Sequence, residues 1–250
     1  MSAPLRVSGL GKAYRGRAVL RDLSFEVAAG EAVAIVGRNG TGKSTLLGCI
    51  TAGRVPDRGE VRVCGADPFS DPRSAARCMG VVPEYPTLYD ELSVGEVIDF
   101  VAEVRGMGEE GRAEALRLAE LLGIAQSEDQ LVRELSQGTA RKLALVLALL
   151  HRPRLLVLDE AFNGLDAPSA EALATELELR REEGAGVLVS SHDLPFLARW
   201  CDRGLLLRPG AEAHLLDGEA WERWSAAPDL EGRALALGGD PVTTPERDEG

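Results

Sequence analysis

The chain has 250 residues, 45% of them hydrophobic, and a formal net charge of −12 at pH 7. That length supports one large domain, or two tightly joined lobes, with a substantial core. The acidic balance argues against non-specific nucleic-acid binding, which demands a basic face, so no nucleic-acid partner is expected.

In chain order, Met1 to Arg6 carries no apolar signal region. Leu5–Leu10 and Ser24–Val27 read as short strands, and a turn at Ala28-Ala29-Gly30 leads into Ala32-Val33-Ala34-Ile35-Val36, an apolar run expected as a buried strand. Gly37-Arg38-Asn39-Gly40-Thr41-Gly42-Lys43-Ser44-Thr45 follows, and Leu46–Ile50 reads as a helix. This is the strand, loop and helix of a phosphate-binding P-loop. Glycines let successive N–H groups turn toward an anion, and the helix start adds its positive dipole end. Lys43 supplies a point charge to the β- and γ-phosphates, and the Ser44 hydroxyl is a magnesium ligand. A nucleoside triphosphate is the expected ligand.

Gly59–Val63 alternates as a strand and stops at Gly65. From Leu92 to about Arg133 the pattern turns helical, with Ser93 and Glu96 spaced as a capping box, an apolar face of Ala115, Leu116, Leu118, Ala119 and Leu122, and Gly123 as a stop. A helix is expected from about Gln137 to Leu150, ended by Pro153, then a strand Leu155–Leu158, a helix over about Ala170–Glu183 and a strand Val187–Ser190. The fold class expected is α/β: a P-loop NTPase core with a mixed or parallel sheet, an N-terminal antiparallel β region and a helical subdomain over about 85–150. Residues 1–225 form the expected NTPase domain. The proline- and glycine-containing stretch 226–250 reads as a weakly ordered tail.

The core strand ending at Leu158 delivers two adjacent carboxylates. Asp159 is placed to hold magnesium, and Glu160, diverging from it, to polarise an attacking water. Cys49, Cys64, Cys78 and Cys201 show no paired metal-ligand spacing and read as apolar fillers in a reducing compartment. The longest apolar run, Leu143 to Leu150, spans about 12 Å as a helix against the roughly 30 Å of a bilayer core, so no membrane crossing is expected.

Further pieces carry a family resemblance. Leu135-Ser136-Gln137-Gly138-Thr139 opens a long helix just before Asp159-Glu160. Asn163-Gly164-Leu165-Asp166 follows, and Ser190-Ser191-His192-Asp193 ends the next strand. With Val82-Pro83-Glu84 and Tyr14, these resemble the nucleotide-binding subunit of an ATP-binding-cassette (ABC) transporter up to about Leu216, and especially export-type cassettes whose membrane subunit is a separate polypeptide.

The resemblance implies that Tyr14 stacks on adenine, a contact worth ~1–3 kcal/mol, and that Gly37 to Thr45 hold the phosphates. It implies that Ser136, Gln137 and Gly138 face ATP bound to the opposite subunit, that Asp166 communicates across the dimer, and that His192 contacts the γ-phosphate. ATP and magnesium are the implied ligands, with Ser44, Asp159 and Glu84 around the ion. Implied partners are a separate transmembrane permease and a second cassette in a head-to-tail dimer, placing the chain in the cytoplasm, peripheral to the inner face of the membrane. The chain departs from the family pattern in three motifs. Gln137 and Thr139 replace the residues of the commoner Leu-Ser-Gly-Gly-Gln, Ala161 stands where proline is usual, and Glu84 stands where glutamine is usual. The function implied is that of an ATP-hydrolysing subunit of an exporter. The alternatives are an importer or haem-exporter cassette, a binding-only subunit, and a soluble ABC ATPase of translation or DNA repair.

Overall fold

A computed structural model describes residues 2–226. The tail expected over 226–250 lies, beyond Ala226, outside the described residues. Two sheets sandwich a helix. The first is antiparallel, in the order β2-β1-β4, from β1 (Leu5–Tyr14), β2 (Arg17–Val27) and β4 (Arg58–Val63). The second has six strands in the order β5-β6-β7-β3-β8-β9: β3 (Ala32–Gly37), β5 (Met79–Val82), β6 (Leu155–Asp159), β7 (Gly186–Ser190), β8 (Arg203–Arg208) and β9 (Glu212–Leu216). All its neighbours pair in parallel except β8 with β9.

Side-chain alternation divides the core. Val33 and Ile35 of β3, with Leu155 and Val157 of β6, face α1 (Lys43–Ile50) and the antiparallel sheet. Ala32, Ala34 and Val36, with Leu156 and Leu158, face the helical layer on the other side. A strand buried on both faces reads as an unbroken apolar run, which is why β3 and β6 stand out in the sequence. The helical layer comprises α3 (Val94–Val104), α4 (Gly108–Leu121) and α5 (Gln137–Leu149). Ser93 caps α3 in a complete capping box: its Oγ accepts from the Glu96 N–H at 3.2 Å, and its own N–H donates to Glu96 Oε2 at 2.8 Å. Between α3 and α4, Gly106 and Gly108 take φ of +71° and +49° and break what reads as one helical stretch.

Several elements differ from the sequence expectation. β1 and β2 extend to a tight hairpin at Arg15 and Gly16 with φ of +50° and +81°, a turn that suits the right-handed twist of its strands. The helix expected from Ala170 begins at Ala167 as α6 (Ala167–Glu182), with Asp166 as its cap and Pro168 in its first turn. α2 (Pro72–Cys78), β5, α7 (Leu194–Trp200), β8, β9 and α8 (Gly218–Ser225) were not expected. Most are too short to establish a period, and β8 shows only Leu205-Leu206-Leu207 between polar flanks.

Candidate active site

The loop between β3 and α1 owes its shape to two close approaches. A Cβ on Gly37 would lie 2.5 Å from Thr41 Oγ1 and 2.8 Å from the Leu207 carbonyl, and Gly42 at the helix start has φ +110°. Thr41 Oγ1 donates to the Arg38 carbonyl at 2.8 Å, closing the turn. Lys43 Nζ reaches back to the Gly37 carbonyl at 2.6 Å. No side chain caps α1 and its first turn carries no acid, so the helix start keeps N–H groups for an anion.

The second wall comes from the ends of β6 and β7. Ser190 Oγ donates to Asp159 Oδ1 at 2.6 Å and accepts from the Glu160 N–H at 3.1 Å, so one hydroxyl sets both carboxylate residues. Glu160 adopts φ +52°, a sharp turn that carries its buried carboxylate away from Asp159. Glu160 Oε2 accepts from the His192 N–H at 3.0 Å and Asn163 Nδ2 at 3.1 Å, and His192 Nε2 lies 3.5 Å from Oε1. Burial raises the proton affinity of Asp159 and Glu160 above the usual carboxylate range; for Asp159, the nearby Glu84 carboxylate adds to the effect. Arg141 of α5 donates to the backbone carbonyls of both Glu160 and Glu84, the latter at 2.6 Å.

These walls enclose a cavity of about 450 Å³ lined by Tyr14, Lys43, Ser44, Glu84, Asp159 and Glu160, with Arg38, Asn39, Gly40, Gly42, Thr45 and His192 on the same surface. Gly37 and Thr41 shape the loop without lining this cavity. Tyr14 enters from β1. Its hydroxyl accepts from Arg54 at 2.9 Å, and Lys12, paired with Asp57 at 2.7 Å, lies 5.6 Å from its ring centre.

Ser136, Gln137, Gly138 and Asp166 stand apart from that cavity. Ser136 caps α5, its Oγ accepting from the Thr139 N–H at 3.1 Å. Gly138 lies against the 163–166 loop, where an added Cβ would meet the Gly164 carbonyl at 2.9 Å. Asp166 caps α6 and pairs with Lys142 of α5 at 2.6 Å; that ion pair, with the Ser169 N–H, holds its carboxyl well below the usual range.

The oxygen donors Ser44, Glu84 and Asp159 share one surface, and hard oxygen donors suit magnesium. Among the described residues no group of three or more His, Cys, Asp or Glu forms a metal cage. Such a sparse donor set fits an ion that takes much of its coordination from water and phosphate, and a cation would relieve the repulsion between Asp159 and Glu84. Ser190, Asn163 and Arg141 were not among the expected site residues. Ser190 and Asn163 lie inside motifs visible in the sequence, whereas nothing near Arg141 signals its two long-range contacts.

A family model described as ABC transporter matches residues 20–163. The chain is 32% identical over 207 residues to the SkfA peptide export ATP-binding protein SkfE of Bacillus subtilis (strain 168), covering 82% of this chain and 86% of that one. It is 33% identical over 205 residues to the Nod factor export ATP-binding protein I of Rhizobium sp. (strain N33), covering 82% and 67%. An aliphatic sulfonates import ATP-binding protein of Pseudomonas savastanoi pv. phaseolicola (strain 1448A / Race 6) is 36% identical over 208 residues, covering 83% and 74%. Among solved structures, an ATP-binding subunit of an ABC transporter superposes with a TM-score of 0.81 at 30% identity, covering 96% of each chain. A dimeric bacterial ABC transporter cassette gives 0.76 at 25% identity, covering 86% and 99%. The chain thus belongs to the ABC transporter family, as an ATP-binding subunit and an ATPase.

Proposed function

We propose that this chain hydrolyses ATP to power an exporter. The carrying observation is the buried Glu160 carboxylate, held by Asn163 and His192 in the cavity that also presents Lys43 and Asp159. Lys43 would exchange its bond to the Gly37 carbonyl for phosphate oxygens, and Tyr14 would stack on the adenine. Ser44, Asp159 and Glu84 would hold magnesium, which supplies charge neutralisation on the phosphates when bound. Glu160 would take the proton of the attacking water as the γ-phosphorus–oxygen bond to ADP breaks. Its raised proton affinity suits that task.

Ser136 and Gly138 sit at the start of α5, away from the cavity of their own chain. That placement supports a head-to-tail dimer in which they complete the partner's site. The relative solved as a dimer supports it too. A separate transmembrane permease is the proposed coupled partner. Tyr85, Tyr89, Phe100 and Val104 expose apolar surface on and before α3, just after Glu84, where such a subunit would dock. Among the described residues no helix is long and apolar enough to cross a membrane. The proposed location is the cytoplasmic face of the membrane, where the permease would hold the chain. Export is favoured by the Val82-Pro83-Glu84 and Asn163-Gly164-Leu165-Asp166 forms and by the two export relatives. Import is the second reading, favoured by the sulfonate relatives.

The test uses inverted membrane vesicles carrying the permease, with wild-type chain or Glu160→Gln. Glu160→Gln should bind MgATP yet hydrolyse it about 10²–10⁴-fold more slowly, the usual cost of losing a general base. ATP-driven accumulation of substrate inside inverted vesicles marks export. Loss of preloaded substrate would mark import, and wild-type hydrolysis by Glu160→Gln would remove Glu160 from catalysis.

A further inference from the structure

Beside the nucleotide cavity lies a second one of about 450 Å³, between the β1–β2 hairpin, the phosphate loop and the β8–β9 turn. Arg17, Arg38 and Arg208 line it, and no acidic residue does. Among the described residues none of these three side chains makes a hydrogen bond or ion pair, although the chain carries a net charge of −12 and offers many carboxylates. Arg208 is the most telling. Its Nε is buried and has no acceptor. A buried guanidinium N–H without an acceptor costs free energy, and such groups in folded proteins are normally satisfied by a partner, water or an ion.

Three like charges around one concavity repel each other unless something anionic sits between them. The forked, planar guanidinium selects phosphate and carboxylate oxygens. The volume falls in the range of small-molecule sites.

We propose that this second cavity is an oxyanion site, distinct from the catalytic phosphate cradle, that takes a small multivalent phosphate or polycarboxylate compound. Arg38, Asn39 and Gly40 line both cavities. Val19 of β2 borders both as well, so an anion on the Arg17–Arg208 side lies against the same phosphate loop as the nucleotide. The proposal rests on nucleotide occupying the cavity of Lys43 and Asp159, and its test separates the two.

Binding of MgADP to the full-length protein, read first by calorimetry, tests the nucleotide cavity alone. Inorganic phosphate and tricarballylate are then titrated separately into the protein with and without saturating MgADP. At least one should bind saturably in both states. Phosphate alone identifies a phosphate ligand, tricarballylate alone a carboxylate one, and both a site that reads charge. Arg17→Gln changes an exposed side chain and should weaken that binding about tenfold or more, with MgADP affinity within about twofold. Arg208→Gln, with its fold checked by circular dichroism, should do the same. The proposal fails if neither probe saturates, or if Arg17→Gln leaves the anion affinity unchanged. It also fails if that variant weakens MgADP by the same factor, which would put the arginines in the nucleotide site.

Discussion

Asp159 is ionised at a cost. Burial raises its pKa and Glu84 adds to the shift, while the bond from Ser190 offsets part of it. A carboxyl whose proton affinity is higher folded than unfolded contributes its full stability below the unfolded pKa, about 3.9 for Asp, and loses it as pH rises through the folded value. Asp159→Asn keeps an oxygen for Ser190 and removes the charge. Without nucleotide it should unfold at a higher temperature than wild type at pH 7, by about 2–4 °C for each 1 kcal/mol relieved. The advantage should vanish as pH falls below about 4. Scanning calorimetry across pH checks this; a constant offset at every pH would mean that charge is not the cause. Saturating MgATP should reverse the order, because the variant gives up the proposed metal ligand.

Two contacts between elements govern how the helical layer meets the core. α4 and α6 are tied by a buried network: Arg180 Nε and Arg117 reach Glu176 Oε1 at 2.7 and 2.8 Å, and both arginines also pair with Glu114. Removing one member of a buried ion network typically costs about 3–5 kcal/mol, because the rest stay desolvated with less compensating charge. Arg180→Ala should lose that much by urea denaturation at pH 7. Arg117, and then Arg180, hold the Glu114 carboxyl down at about 2. A lowered carboxylate stabilises above its unfolded pKa, about 4.3 for Glu, and the gain is lost as pH falls through the folded value of about 2. Glu114→Gln should therefore be less stable than wild type at neutral pH and converge with it in that acid window.

The second contact joins Lys142 of α5 to Asp166 at the head of α6, presenting Ser136 outward. If Ser136 serves the partner's nucleotide, Ser136→Ala and Lys43→Ala injure one composite site from opposite sides. Mixing the two inactive proteins should then restore part of the ATPase rate through the intact site of each mixed dimer. No recovery in verified mixed dimers would mean that each chain serves itself or that both sites must work together.

Elements whose form is set locally were legible in the sequence. β3, the Gly37–Thr45 loop and the Asp159-Glu160 pair announce themselves because adjacent residues create the phosphate cradle and the acidic strand end. The capping box at Ser93 is legible for the same reason. Arg141 reaching Glu84, Arg54 holding Tyr14 and Glu114 meeting Arg180 join residues 57, 40 and 66 positions apart, and no local pattern encodes such meetings. The far half of β1 stayed hidden because its pairing with β2 shifts register between Val7 and Leu10 and again before Lys12, which scrambles the alternation that marks a strand.

At the scale of the whole molecule, Tyr89, Phe100 and Val104 expose large apolar side chains on and before α3. Tyr89 and Phe100 already pack edge to face at 5.3 Å, a preformed aromatic ridge. Tyr89→Ala with Phe100→Ala should leave the ATPase rate of the isolated chain within about twofold while weakening its co-purification with the proposed permease about tenfold or more, the loss of an aromatic anchor. Unchanged co-purification would move the docking face elsewhere.

The placement of the indoles also decides what light can report. Trp200, Trp221 and Trp224 are the three tryptophans, and none lines the nucleotide cavity. Trp221 is buried against Gly204 and donates to the Cys201 carbonyl, with Trp224 stacked 5.1 Å away, so this pair senses undocking of α8. Trp200 stands at the end of a ring ladder, 5.7 Å from Phe196, which is 4.5 Å from Phe162, two positions after Glu160. In Trp221→Phe/Trp224→Phe protein, a change of native emission on adding ATP would report that ladder, which begins beside the turn carrying Glu160, rather than contact with adenine. Tyr14→Trp would watch the base in the proposed adenine stack, and stopped-flow traces of the two proteins would time nucleotide arrival separately from the response of the Glu160 turn.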